Sequence, residues 1–168
     1  EQFYTVLEVM ASVFVKHQID EKSIMNLGSG ENGKSVMLDY LSALLGKNNI
    51  SHIPLQVLSE DKFASAKLDG KLASSFADLE KNELRHTGII KVISSGESSF
   101  SQNKGVSGFD LCPICKLIFS TNKFPKVFDQ TQGFFRRWII IKWLRNFEND
   151  PDRIDKLKEH LLDNEDEK

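Results

Sequence analysis

The stretch GSGENGKS, Gly28 to Ser35, has the spacing G-x-x-x-x-G-K-S, with Gly28, Gly33, Lys34 and Ser35 at the fixed places. Phosphate binding needs those residue types there. Glycines let backbone N–H groups converge on phosphate oxygens where a side chain would block the approach. Ser29, Gly30, Glu31 and Asn32 supply the rest of the cradle. Lys34 would reach the β- and γ-phosphates, and the Ser35 hydroxyl would go to Mg²⁺. The competing reading is a chance glycine turn, and context decides between them. Before the loop stands SIMNL, a short and mostly apolar run, interrupted by Asn26. After it stands KSVMLDYLSALLG, with Val36, Leu38, Leu41, Leu44 and Leu45 near helical spacing and Gly46 as a stop. Strand, glycine-rich loop and helix in that order favour the phosphate loop.

Length and composition bound the rest. A chain of 168 residues suits one domain, or one domain with a fragment attached. No apolar run approaches the ~20 residues that span a bilayer, so no membrane partner is expected. There is no signal-peptide pattern, and the chain opens with helical character at EQFYTVLEVMASVF, which suggests a piece of a larger protein. The net charge of −2 argues against a uniformly basic nucleic-acid binder, but not against a local basic patch. The acidic tail LLDNEDEK reads most simply as a solvated or frayed terminus.

The two cysteines form CPIC, Cys112 to Cys115. A redox motif or half a zinc site are the functional readings. A zinc site needs about four ligands, and no second Cys pair exists, while the four His are scattered. The pair reads better as the approach to a buried strand, KLIFS. So few cysteines fit a reducing, cytoplasmic setting.

Periodicity supplies the remaining elements. FYTVLEVMASVFVKH is an amphipathic helix. NNISHIPLQVLSED is a loop with a short strand, KFASAKLDGK a helix closed near Gly70, and KLASSFADLE a strand ending in acids. LRHTGIIKVISSGE is a short helix and turn. SFSQNKGVSGF alternates around Lys104-Gly105, which predicts a hairpin. KLIFSTN is a buried strand ending at Asn122, KFPKVFDQTQGFFRR a loop, and WIIIKW a strand. DPDRIDKLKEHLL is a final helix starting near Asp150 or Asp152. Strands alternating with helices predict an α/β fold with a mainly parallel sheet covered on both faces. The expected units are residues 1–20 (N-terminal helical segment), 21–145 (core) and 146–168 (C-terminal helix and tail).

A phosphate loop alone hydrolyses nothing. A carboxylate on a neighbouring strand must hold Mg²⁺ or activate water. SSFADLE offers Asp78 and Glu80, two residues apart and so on one side of a strand; a solvated strand end is the plainer alternative. A polar residue at the tip of a central strand can sense the γ-phosphate, and KLIFSTN supplies Asn122, although Asn is also an ordinary turn former. Transition-state charge needs a cation. GFFRRW offers Arg136 and Arg137, either of which could equally cap the strand or sit in a surface ion pair.

The order GxxxxGKS, ADLE, K-x-I-S-S-G-E with a following lysine, KLIFSTN and GFFRRWIII resembles the superfamily 3 helicase domain. It is most similar to the helicase half of phage and plasmid primase–helicases, over about Glu21 to Trp143. The resemblance implies an AAA+-type P-loop ATPase that uses ATP and Mg²⁺, assembles as a homo-hexameric ring and moves along single-stranded DNA. It implies phosphate and Mg²⁺ roles for Lys34 and Ser35, the second-motif carboxylate for Asp78 and the sensor for Asn122. It ranks Arg137 ahead of Arg136 as a finger acting on the neighbouring subunit. Lys104 matches a DNA-contacting lysine on that family's hairpin. Where many members carry two adjacent acids, this chain has Ala77-Asp78, and Glu80 is a stand-in. Any primase half would lie upstream. Phe100 and Phe109 flank Lys104 and could stack on bases, but at a hairpin base they read more simply as core. A small-molecule phosphotransferase and a nucleotide-gated binding module with little turnover are the alternatives.

Overall fold

Parallel strands need long crossovers, and the alternation of short apolar runs with helical segments provides them. The computed structural model describes residues 2–18, 20–77 and 83–163. Its strands are β1 (Ser23–Leu27), β2 (Ile50–Ser51), β3 (Ala73–Phe76), β4 (Ser99–Ser101), β5 (Phe109–Leu111), β6 (Lys116–Thr121) and β7 (Trp138–Lys142). Its helices are α1 (Gln2–Ser12), α2 (Lys34–Leu45), α3 (Leu55–Glu60), α4 (Gly88–Ser95), α5 (Gln132–Phe135) and α6 (Leu157–Asp163). Five strands form one sheet in the order β2-β3-β6-β1-β7, and every neighbouring pair is parallel. β4 and β5 form a separate antiparallel pair. The α/β fold with a mainly parallel sheet and a hairpin insertion is therefore as the sequence predicts.

Successive residues of a strand face opposite ways, and the core divides accordingly. Met25, Leu117 and Phe119 face one side, where Leu55, Leu58, Ile90, Ile93 and Phe134 cover them. Ile24, Ile118 and Ile141 face the other, under Val9 of α1, Val13 just after it, and Leu38, Leu41 and Leu45 of α2. Each such side chain, fully buried, contributes about 1.5–3 kcal/mol of apolar transfer.

Asn26, the polar residue inside the first strand, is fully buried yet satisfied. Its Nδ2 donates to Phe119 O at 3.3 Å, and its Oδ1 accepts from Trp143 Nε1 at 2.9 Å. Lys116 opens β6 buried, and desolvation lowers its pKa; its ammonium donates to His17 O.

Several boundaries differ from the sequence reading. The segment read as a loop after β2 contains α3, which begins after Pro54 and buries Leu55 and Leu58. The helix expected in KFASAKLDGK is only a 3₁₀ turn, Ser65–Leu68. The loop before β7 contains the single turn α5. α6 starts at Leu157 rather than near Asp150 or Asp152, because both aspartates bind the Arg145 guanidinium, at 2.7 and 2.5 Å. Lys156, just before it, takes a left-handed φ of 56°. Cys115 is buried where the chain enters β6, and desolvation pushes its thiol up to about 12. Cys112 is exposed, its Sγ 3.1 Å from Ser98 Oγ.

Candidate functional site

The register of the sheet assembles the site. Leu27 lies beside Thr121 of β6 and Lys142 of β7, so β1 ends between two strand ends. The chain then turns into GSGENGKS at the C-terminal edge of the sheet, where open parallel α/β folds bind ligands. Gly28 donates its N–H to Thr121 O at 3.2 Å. A Cβ there would collide with Trp143 O and Asn32 Nδ2, so only glycine fits. Gly33 has φ 86°, which disfavours any side chain.

The loop leads into the N-terminus of α2, twelve residues long, which no side chain caps. Its first-turn N–H groups and the positive end of its dipole therefore favour an anion. Lys34 is buried and its Nζ donates to Gly28 O (2.7 Å), Ser29 O (2.8 Å) and Asn32 Oδ1 (2.8 Å). Asn32 in turn donates to Ser29 O at 2.5 Å and to Trp143 O at 3.1 Å. Ser35, one position on, is exposed.

A cavity of about 460 Å³ opens above the loop, lined by Gly30 to Val36, Ala77 and Ser120 to Asn122. Lys34, Ser35 and Asn122 thus line one space. The ends of β3 and β6 reach it from the two strand positions beyond β1. Asp78 and Glu80 lie outside the described residues; Ala77, the last described residue before them, already lines the cavity. The donor set suits a polyphosphate: a loop closed to a Cβ at Gly28, an uncapped helix start, one ammonium and one exposed hydroxyl at Ser35.

The two arginines sit elsewhere. Trp138 pairs with Ser23, so Arg136 and Arg137 lie at the opposite end of β1 from the loop. Five strand residues separate the two ends, roughly 16 Å at about 3.3 Å per residue. That is farther than an arginine side chain extends, so neither can reach its own chain's loop. Arg137 is turned inward. Its Nη1 donates to Gly133 O at 2.5 Å and its Nη2 to Ser95 Oγ at 2.9 Å, and its side chain is 12% exposed. Arg136 points outward, 53% exposed, with one ion pair to Glu21 at 2.7 Å.

The hairpin holds Lys104 in its exposed turn. Ser101 and Leu111 are buried and anchor its base, and Ser101 Oγ meets Ser65 Oγ at 2.9 Å. Phe100 is not core: it is 69% exposed, because Ser101, not Phe100, occupies the inward face of β4. Its ring lies against Gly108, where a Cβ would displace it. Phe109 is half-buried.

Sequence reasoning missed the covering of the loop by the segment after β7. Trp143 donates its N–H to Leu27 O at 2.7 Å, and Phe147 donates its N–H to Glu31 O at 2.7 Å. Asn146 Nδ2 donates to Gly30 O at 3.2 Å. These are main-chain acceptors met by residues more than a hundred positions away, which no local pattern signals.

The profile of a family of unknown function, DUF5906, matches residues 27–137, more than half of the chain. The chain belongs to this family. The matched span runs from the last residue of β1 to Arg137, and so covers the loop, the hairpin and both arginines. A mimivirus protein from Acanthamoeba polyphaga mimivirus, named "Putative helicase L207/L206", is 21% identical over 164 residues, 94% of this chain and 17% of that protein. The apo structure of the NrS-1 C-terminal region superposes with a TM-score of 0.73 at 15% identity, covering 95% of this chain and 39% of that one. JCV helicase superposes at 0.53 with 16% identity, covering 84% and 40%. The DUF5906 chain therefore shares the fold of these two solved structures, and spans about two fifths of the length of each and 17% of the mimivirus protein.

Proposed function

We propose that this chain is the ATP-hydrolysing core of a DNA helicase motor that works as a ring on single-stranded DNA. The observation that carries the reading is the cavity that joins Lys34 and Ser35 of the loop to Ala77 and Asn122 at the ends of two neighbouring strands. That is the set of positions from which phosphate, metal and attacking water are handled in phosphoryl transfer. The helicase name of the mimivirus relative and the likeness of fold to JCV helicase support it.

Hydrolysis transfers the γ-phosphoryl group of ATP to water. Lys34 and the loop N–H groups hold the β- and γ-phosphates and offset their charge. Bound Mg²⁺ would add charge neutralisation between the phosphates, held by Ser35 and Asp78. Asn122 lines the cavity at the end of β6 and orients the attacking water, with Glu80 the second carboxylate that the sequence offers. The missing cation comes from a neighbouring subunit, since both arginines stand a strand length from their own loop. Between them, Arg136 is the better finger. It is exposed and held by one surface ion pair, of a kind worth about 0–1 kcal/mol. The inward bonds of Arg137 make it the residue that positions this corner.

DNA contact falls to the hairpin. One lysine per subunit, multiplied around a homo-hexamer, supplies enough cations at the centre to bind a polyanion despite a net charge of −2. Phe100 adds an exposed ring that stacks on bases without reading sequence. The setting we infer is replication of a viral, plasmid or proviral genome in the cytoplasm, with any primase half upstream.

The test is ATP hydrolysis with and without single-stranded DNA, together with light scattering. We expect DNA-stimulated turnover by a ring, abolished by Lys34→Ala while nucleotide-free folding is retained. Hydrolysis at the wild-type rate in Lys34→Ala would remove the phosphate-loop assignment. Absence of any DNA stimulation would leave an ATPase that is not a DNA motor.

A further inference from the structure

A loop that binds an anion through its N–H groups must turn its carbonyl groups elsewhere, and each buried carbonyl needs a donor. The five carbonyls from Leu27 to Glu31 all have one. Gly28 O and Ser29 O accept from Lys34 Nζ, and Ser29 O accepts also from Asn32 Nδ2. Leu27 O, Gly30 O and Glu31 O accept from Trp143 N, Asn146 Nδ2 and Phe147 N. We propose that Trp143 is the residue that positions this loop, and Lys34 within it, by holding Asn32 with its carbonyl and by backing Gly28 and Gly33 with its side chain. This rests on the phosphate-loop reading above.

Trp143 is itself anchored on two sides. Its N–H donates to Leu27 O at 2.7 Å, which continues the pairing of β1 with β7 by one residue. Its indole Nε1 donates to Asn26 Oδ1 at 2.9 Å, and Asn26 is fully buried in β1. The Trp143 carbonyl then accepts from Asn32 Nδ2 at 3.1 Å, and Asn32 Oδ1 accepts from Lys34 Nζ at 2.8 Å. Holding the nitrogen of an amide fixes where its oxygen points. A chain of hydrogen bonds therefore runs from Asn26 through Trp143 and Asn32 to the Lys34 ammonium. Asn32 and Lys34 are both buried, where such bonds are stronger than at the surface.

The side chain acts on the glycines. A Cβ at Gly28 would stand 3.1 Å from Trp143 Cβ, and one at Gly33 would stand 3.7 Å from Trp143 Cζ3. The residue thus lies against both ends of the loop. Glycine has the widest backbone freedom of any residue. A rigid ring behind Gly33 removes part of that freedom in advance, so less ordering is left for ligand binding to supply.

The experiment uses the full chain and inorganic tripolyphosphate, which has no base or sugar and reports on the phosphate site alone. Calorimetric titrations compare Trp143→Ala, Asn32→Ala and the double variant, each below its melting temperature. We expect each single change to weaken binding about tenfold or more, the scale of one lost hydrogen bond to a charged group. We expect the double variant to bind within about threefold of the weaker single one, because residues that act through one another are not additive. A second measurement leaves Trp143 untouched. The chain has two tryptophans, and Trp138 Nε1 has no hydrogen-bond partner among the described residues. Trp138→Phe therefore strands no acceptor and makes Trp143 the sole tryptophan emitter. Its emission should change along the tripolyphosphate binding curve, and should stay flat when Lys34→Ala is added. Unchanged tripolyphosphate affinity in Trp143→Ala overturns the proposal. So does full additivity with Asn32→Ala, and so does Trp143 emission that is blind to bound tripolyphosphate. If instead Lys34→Ala binds tripolyphosphate as the parent does, the phosphate-loop reading itself fails, whatever Trp143 does.

Discussion

Arg136 and Arg137 are adjacent in the chain, and alanine at each should do opposite things. Arg137 is nearly buried and donates to Gly133 O and Ser95 Oγ, with Glu21 at 3.5 Å. Removing it strands those acceptors. Hydrogen bonds from a charged group are worth about 1.5–3 kcal/mol, and a domain of this size shifts its Tm by about 2–4 °C per kcal/mol. Arg137→Ala should therefore melt about 3–12 °C lower. Arg136 makes one exposed ion pair. Surface changes of that kind stay within about 0.5 kcal/mol, so Arg136→Ala should melt within about 2 °C of the parent. Its turnover, however, should fall by about 10³–10⁵ if it completes the neighbour's site. The assay pairs differential scanning fluorimetry with steady-state ATP hydrolysis, then mixes Arg136→Ala with Lys34→Ala subunits. Each variant alone is inactive. In an equal mixture about one quarter of head-to-tail interfaces join an intact loop to an intact arginine, so partial activity should return. Full activity of Arg136→Ala alone would refute the assignment. No recovery on mixing, with rings intact, would refute action across the interface.

Lys104→Ala should weaken single-stranded DNA binding and lower its salt dependence, while ATP hydrolysis without DNA stays at the parent rate; unchanged salt dependence would take the hairpin tip off the DNA path. Gly28→Ala should lose both nucleotide binding and stability, because its Cβ collides with the Trp143 carbonyl; normal binding in a folded variant would contradict that contact. Asp129 accepts from Lys91, Thr131 and Thr87, which holds its carboxyl well below the usual carboxylate range. A depressed carboxylate stabilises the fold above its unfolded pKa of about 3.9, and that stability is lost as pH falls toward the folded value. Below about pH 4 the parent should thus lose stability more steeply than Asp129→Asn, as measured by urea melts across pH 2–6.

The sequence by itself determined the local units. SIMNL matched β1 residue for residue, KSVMLDYLSALL matched α2 with its stop at Gly46, and WIIIKW overran β7 by one residue, because short-range periodicity and glycine placement act within a few residues. It also located the glycine-rich loop between β1 and α2, since that loop is one contiguous run of backbone. It could not say that Phe100 stands exposed, because a three-residue strand carries no periodicity long enough to reveal which face is inward. Nor could it say which arginine turns inward, although the resemblance ranked Arg137 ahead of Arg136. Arg136 and Arg137 have the same chemistry and adjacent numbers, and only packing against Ser95 and Gly133 turns one inward. Asn26 illustrates the same division: in the sequence it weakens a strand, and in the fold it links Phe119 to Trp143. Tertiary structure decided these points because each depends on partners far along the chain, and register alone brings those partners within hydrogen-bonding distance.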